Sequence, residues 1–255
     1  MQSQDLKGSV LVSISHAIAT VEFGNPVSNC LPSHLLNRLT AEMGILSKND
    51  SVSVIVLKSS GPNVFCAGAS LDELLAVSTQ EEATQFFSGF ANVLNAMRQC
   101  SKIIIGRIHG KAVGGGVGII AACDYVFATM DSSIKLSELS IGIGPFVIEP
   151  AISRKIGKSA MAELTLASNE WKNSEWAKSK GLYAKVFAGK VTLDIELASF
   201  SSKLASYNPE ALIEIKKTLW EGTENWNSLL YERAAISGKL VLSDFTKNSL
   251  RQLKK

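Results

Sequence analysis

The stretch G-K-A-V-G-G-G-V-G-I-I-A-A-C-D-Y, Gly110 to Tyr125, is followed after one short strand's worth of residues by K-L-S-E-L-S-I-G-I-G-P, Lys135 to Pro145. The first piece follows a β-branched run, Ile103 to Ile108, and opens an apolar helix of small residues. Three consecutive glycines let a backbone approach a ligand and leave amide N–H groups uncovered, and the helix start adds partial positive charge. Such a turn can hold a developing oxyanion. The second piece carries one acidic residue, Glu138, in an otherwise neutral stretch. Strand, glycine turn and helix in this order predict an α/β fold.

Working outward, Val10 to Ser15 and Ile18 to Phe23 are β-branched runs separated by His16-Ala17, which predicts a hairpin. Leu35, Leu36, Leu39, Met43 and Leu46 fall at helical spacing between Ser33 and Ser47. Val52 to Lys58 has the pattern of a buried strand, ended by S-S-G-P. The turn F-C-A-G-A, Phe65 to Ala69, comes next, then a short helix from Ser70 to about Ala76 and a longer one from Gln80 to Gln99. Tyr125 to Ala128 is a further strand. After Glu149 strand signals nearly vanish. Helices are expected over Ala151 to Ile156, Lys158 to Leu166, Ser174 to Lys180, Leu193 to Ser206, Pro209 to about Leu240 and Thr246 to Leu253. This region is too interrupted to form an obvious bundle, so it is expected to pack on the chain's own core or on another subunit.

The 255 residues, 46% hydrophobic, can bury a sizeable core and predict a soluble globular protein. The formal charge of +3 comes from 26 basic and 23 acidic residues without a polybasic block beyond pairs such as Lys216-Lys217 and Lys254-Lys255, so nucleic acid is not an indicated partner. Cys30, Cys66, Cys100 and Cys123 are isolated, which predicts reduced thiols in a cytoplasmic setting. The opening M-Q-S-Q-D-L-K-G lacks the basic start and apolar core of a signal peptide. No apolar run is long enough to cross a membrane, and a membrane partner is not expected.

Several motifs fail. Glu138 lies twenty positions after Gly118, near the offset of a ribose-binding acid, but Ile119 stands where G-x-G-x-x-G needs its third glycine. Gly157-Lys158-Ser159 imitates the end of a phosphate loop, but Ile152 occupies the required glycine position. G-x-S-x-G is absent, and His16, His34 and His109 have no metal-ligand spacing, so they are read as structural and no metal site is expected. Two turns remain: Phe65 to Ser70 and Gly114 to Gly116. Each permits a tight strand-to-helix turn, and each can also present backbone N–H groups. Two such donors on one carbonyl oxygen would stabilise an enolate, the loss of one costing about 3 to 4 kcal/mol of transition-state energy.

With F-C-A-G-A at 65 to 69, G-G-G and A-C-D between Ile108 and Asp124, and S-E-L-S-I-G-I at 137 to 143, in this order and spacing, the chain resembles the crotonase, or enoyl-CoA hydratase/isomerase, superfamily. The resemblance runs less sharply from the first hairpin, through Gly24-Asn25-Pro26 and Asn29, to Asn208-Pro209-Glu210-Ala211-Leu212. It implies a ββα spiral over 1–195 carrying an acyl-CoA site, a helical C-terminal trimerisation region over 196–255, and a homotrimer or homohexamer. It also implies an acyl-CoA thioester as substrate and no cofactor beyond that CoA. By the same resemblance the oxyanion donors fall on Ala69 and Gly115, while Ala67, Gly68, Ser70, Leu71, Gly114, Gly116 and Gly142 border the substrate. Ser70 stands where aspartate is common in the family.

The resemblance also bears on the reaction. Two-carboxylate hydratases have glutamates at the positions of Gly118 and Glu138, and this chain keeps only the second. Hydration usually divides water activation and the α-carbon proton between two acids, whereas an isomerase can move one proton from the α to the γ carbon with a single carboxylate. The continuation I-G-I-G-P-F-V-I and the end S-D-F-T-K-N-S-L-R-Q-L-K-K are similar to the mitochondrial enoyl-CoA isomerase branch. The expected activity is therefore β,γ- to α,β-enoyl-CoA isomerisation with Glu138 as base. The alternatives are an enoyl-CoA hydratase, as in branched-chain amino-acid breakdown, and a non-catalytic or RNA-binding relative. Glu149 and Asp72 are the other candidates for a second acid, each also readable as a solvated helix-start carboxylate. A carboxylate introduced at 118 is expected to favour water addition.

Overall fold

The computed structural model describes residues 7–253; the opening M-Q-S-Q-D-L and the pair Lys254-Lys255 lie outside the described residues. The chain begins as the expected hairpin, β1 (Ser9–Ser15) and β2 (Ile18–Gly24), antiparallel in a register that pairs Ser15 with Ile18. Its two-residue turn puts His16 at φ 49° and Ala17 at φ 62°. Positive φ at both central residues matches the right-handed twist of the flanking strands, here without the glycine that usually occupies such a turn.

From there the chain winds as repeated strand–strand–helix units. The first is β3 (Val54–Ser59), β4 (Val64–Cys66), α2 (Leu71–Ala76) and α3 (Gln80–Gln99), after α1 (Ser33–Ser47). The next are β5 (Ile103–Ile108), β6 (Lys111–Val113), α4 (Gly115–Ala122), and then β7 (Tyr125–Thr129), β8 (Ser133–Lys135), a 3-10 turn at Leu139–Ile141 and α5 (Glu149–Leu166). The first strand of each unit joins a six-stranded sheet of order β1-β2-β3-β5-β7-β10, and the second joins a four-stranded sheet of order β4-β6-β8-β9. This is the crotonase-type ββα spiral, with β3, β5 and β7 parallel in one sheet and β4, β6 and β8 parallel in the other.

Helices α1 and α3 cover one side. Ala83, Phe86, Phe90, Val93, Leu94 and Met97 repeat at helical spacing along the buried face of α3, and Thr79 with Glu82 closes its start as a capping box. Within α5, Gly157 is non-helical (φ 76°, ψ 161°), so the element divides where the two separate segments were expected.

Two strands fall in the region expected to be helical, β9 (Lys172–Asn173) and β10 (Lys185–Phe187), on either side of α6 (Ser174–Ser179). Both are too short to carry a period of their own; β10 is a strand because it pairs parallel to β7. The expected continuous helix over Pro209–Leu240 is two, α8 (Pro209–Leu219) and α9 (Trp226–Val241), parted around Gly222 at φ 76°.

The C-terminal helices close on their own chain. On α7 (Lys190–Ala205), Leu193 and Leu197 pack with Val54, Val56, Ile103, Ile105 and Phe127 of the large sheet, so position 195 falls inside a helix that covers the spiral. Helix α9 lies along α3 and contributes Trp226, Leu230 and Ala234 to the main core. Helix α10 (Asp244–Leu253) rests on α2 and the 3-10 turn.

Candidate active site

Strands β4, β6 and β8 lie side by side and parallel, and each ends in one of the singled-out segments: Ala67–Ala69, Gly114–Gly116 and Ser137–Glu138. Three successive turns of the spiral therefore deliver their chain reversals to one edge, the position where parallel sheets present ligand sites. After β4, Ala67 N–H donates to Ser28 O (3.1 Å) and Leu31 N–H to Gly68 O (2.8 Å), which ties the turn to the loop before α1. Gly68 sits at φ +88°, and a Cβ there would lie 2.9 Å from Val113 O and 3.5 Å from Gly115 N. The two candidate donor turns thus abut.

Gly114, at φ 53° and ψ −120°, is in a conformation essentially reserved for glycine, and its N–H donates to Lys135 O (3.0 Å). Helix α4 starts at the next residue, leaving its first amides without intrahelical acceptors. Glu138 lies over this turn: a Cβ on Gly114 would stand 2.7 Å from Glu138 Oε1.

A cavity of about 240 Å³ joins these pieces. Ala67, Gly68, Ala69, Leu71, Gly114, Gly115 and Glu138 line it, together with Phe87 and Phe90 from α3, Phe146 to Ile148 before α5, Ser237 from α9 and Leu250 from α10. The cavity runs along the seam between the main core, which holds Phe90, Val147 and Ile148, and a satellite cluster of Leu74, Phe86, Ile143, Val241 and Leu250. Among the described residues, the polar side chains on its wall are Ser137, Glu138 and Ser237.

Glu138 Oε2 is shut off from solvent and has no hydrogen-bond partner among the described residues. Burial pushes this carboxyl up to about 7, with a hydrogen bond to its own backbone opposing the rise. A carboxylate in such surroundings is poised to take up a proton near neutral pH.

Three expected substrate-bordering residues lie outside the lining. Ser70 caps α2, its Oγ accepting from Glu73 N–H at 3.3 Å. Gly116 faces Cys66, where a Cβ would come within 2.7 Å of Cys66 Cβ, and so seats α4 against β4. Gly142 ends the 3-10 turn at φ 89° and lets Thr246 of α10 approach. Neither candidate second acid lines the cavity. Burial raises Glu149, but hydrogen bonds from Lys158 and Ser153 outweigh it and hold the carboxyl below its ordinary value. Asp72 is in the first turn of α2.

Asp124 of the A-C-D motif serves a different purpose. Its Oδ2 accepts from Ile104 N–H (2.7 Å) and Lys216 Nζ (2.6 Å), and its Oδ1 from Trp220 Nε1 (2.7 Å). His109, buried beside Arg107, is driven down to about 4 by burial and that guanidinium, and is a neutral structural histidine. The four cysteines are buried and unpaired. Among the described residues no group of three or more His, Cys, Asp or Glu is arranged to hold a metal, and no helix is long and apolar enough to cross a membrane.

Comparison with known proteins bears on the family and the fold. The family described as enoyl-CoA hydratase/isomerase matches residues 13–251. The chain is 31% identical over 216 residues to a peroxisomal Delta(3,5)-Delta(2,4)-dienoyl-CoA isomerase of Arabidopsis thaliana, covering 76% of each chain. It is 28% identical over 221 residues to a 2,3-dehydroadipyl-CoA hydratase of Escherichia coli, covering 84% of this chain and 83% of that one. Among solved structures, an enoyl-CoA hydratase from Bacillus halodurans shares the fold with a TM-score of 0.88 at 20% identity, covering 95% of this chain and 99% of that chain. The chain belongs to the enoyl-CoA hydratase/isomerase family of the crotonase superfamily.

Proposed function

We propose that the protein is an enoyl-CoA isomerase that moves the double bond of a β,γ-enoyl-CoA into α,β conjugation. One observation carries this reading: among the described residues Glu138 is the single ionisable side chain lining the cavity, and no second acid lines it. Glu138 takes the proton from the α carbon. The electron pair of that C–H bond forms a dienolate, with the negative charge on the thioester oxygen held between Ala69 N–H and Gly115 N–H. The same carboxyl then gives its proton to the γ carbon, and the electrons settle as the α,β double bond. The start of α4 adds its dipole to the oxyanion site. CoA enters as part of the substrate, and the proton shuttle calls for no further group. The apolar walls suit a hydrocarbon acyl chain.

We further propose a homotrimer or homohexamer without nucleic-acid or membrane partners, and a cytoplasmic setting, in keeping with four unpaired cysteines. The Escherichia coli relative, a hydratase by name, supports water addition as the second reading.

A panel of β,γ- and α,β-enoyl-CoA substrates assayed for both double-bond migration and water addition separates the two. Migration exceeding hydration is the expected result. Hydration of crotonyl-CoA without migration of any β,γ-enoyl-CoA would replace this reading with the hydratase.

A further inference from the structure

Gly114 and Gly118 are four residues apart, linked by a hydrogen bond from Gly118 N–H to Gly114 O (3.2 Å), and so lie on one face of the start of α4. Each is covered by a different side chain. Glu138 stands over Gly114, and Ile148 stands over Gly118, where a Cβ would collide with Ile148 Cγ2 and lie 2.7 Å from Ile148 Cβ. Ile148 is 4% exposed and lines the same cavity as Glu138. The space beside the base, one helical turn along, is therefore filled with hydrocarbon.

Water addition and double-bond migration start from the same bound thioester but need different surroundings. Hydration forms a C–O bond at the β carbon and a C–H bond at the α carbon, with both atoms taken from one water. That water must be held near the double bond by polar groups. Migration breaks a C–H bond at the α carbon and forms one at the γ carbon, and the proton need never leave the carboxyl. Resting on the isomerase reading above, we infer that Ile148 determines reaction specificity: its side chain keeps water away from the face of the substrate beside Glu138 and so reserves the carboxyl's proton for the γ carbon. Gly118 is small because Ile148 occupies its side-chain space. A carboxylate introduced at 118 meets this side chain first, since Gly118→Glu drives its first side-chain atom into Ile148.

The test uses the full chain with 3-hexenoyl-CoA in D₂O and crotonyl-CoA in water. The parent enzyme should transfer the α proton with little deuterium reaching the γ carbon. Ile148→Ala should raise both deuterium incorporation and the ratio of hydration to migration by about tenfold or more, a difference an assay resolves as about 1.4 kcal/mol. Ile148→Leu keeps the volume but removes the β-branch above Gly118, so a fold intolerant of alanine still yields a measurement, with a smaller rise in the same direction. Gly118→Glu should add no water addition by itself and should gain it when combined with Ile148→Ala. Unchanged deuterium incorporation and hydration in folded Ile148 variants that still turn over substrate would overturn the inference. So would Gly118→Glu hydrating as well alone as in the double variant. A parent that moves no double bond instead overturns the isomerase reading, a result read on the unmodified chain.

Discussion

On the isomerase reading the proton chemistry falls to Glu138, since among the described residues no other ionisable side chain lines the cavity. Replacing it with glutamine preserves shape and removes basicity, so migration should fall by about 10²- to 10⁴-fold while acyl-CoA binding, followed by calorimetry, persists. The base must be ionised to act, and burial holds its carboxyl at about 7, so kcat/KM should rise with pH through about 7 instead of levelling off above the ordinary carboxylate range. The same rise has a stability consequence of fixed sign. A carboxyl raised by folding binds its proton more tightly in the native than in the unfolded state, so its contribution is complete below about 4.5 and is lost as pH climbs to about 7. Glu138→Gln should therefore gain on the parent across that window, by up to about 3 kcal/mol, measurable as a widening difference in urea midpoint. At Gly115 the limit is space. A Cβ there would run into the Phe90 ring, 2.8 Å from its Cδ1, so on the proposed mechanism Gly115→Val should lose turnover by displacing the amide assigned to the oxyanion. Near-normal turnover in a folded variant would remove Gly115 from the oxyanion site.

At the scale of elements, the buried ion pair between Asp124 and Lys216, both side chains 2% exposed, pins α8 to the loop that ends α4. Asp124→Asn leaves the ammonium without its charge partner and should cost about 3 to 5 kcal/mol in denaturant unfolding, whereas replacing both partners with apolar residues should cost less. Asp124 was visible in the sequence only as part of a motif; its partners Lys216 and Trp220 are about ninety residues away and nothing local announces them. The same contrast divides the rest of the molecule. The hairpin, α1, α3 and the two tight turns at Phe65–Ser70 and Gly114–Gly116 were legible because period, capping and small-residue turns are local properties. Strands β4, β6 and β8 were not, at three residues each, although they bring the site together. Glu138 and Ala67–Ala69 could be singled out from sequence. The cavity walls Phe87, Phe90, Ser237 and Leu250 could not, because helical spacing identifies a buried face without saying what it is buried against.

For the whole molecule, the C-terminal region was expected to pack on the chain's own core or on another subunit, and α7, α9 and α10 each bury a face on their own chain. Two apolar pairs are among the side chains that remain open to solvent. Val191 and Ile195 on α7 are 75% and 64% exposed, and Ile215 and Leu219 on α8 are 52% and 51% exposed, each pair four residues apart and so on one helix face. Apolar pairs of this kind on neighbouring helices are candidates for burial in an assembly, and closed cyclic symmetry would bury the same stripes in every protomer. Light scattering should accordingly give a mass of three or six times the 27.3 kDa chain. If these stripes form the contact, Ile195→Glu combined with Leu219→Lys should lower that mass while the thermal unfolding of the protomer changes little, because none of the four side chains belongs to the buried clusters. A parent chain that stays monomeric at micromolar concentration would refute the assembly. In that case the cavity would be complete within one protomer, which the walls supplied by α9 and α10 of the same chain already allow.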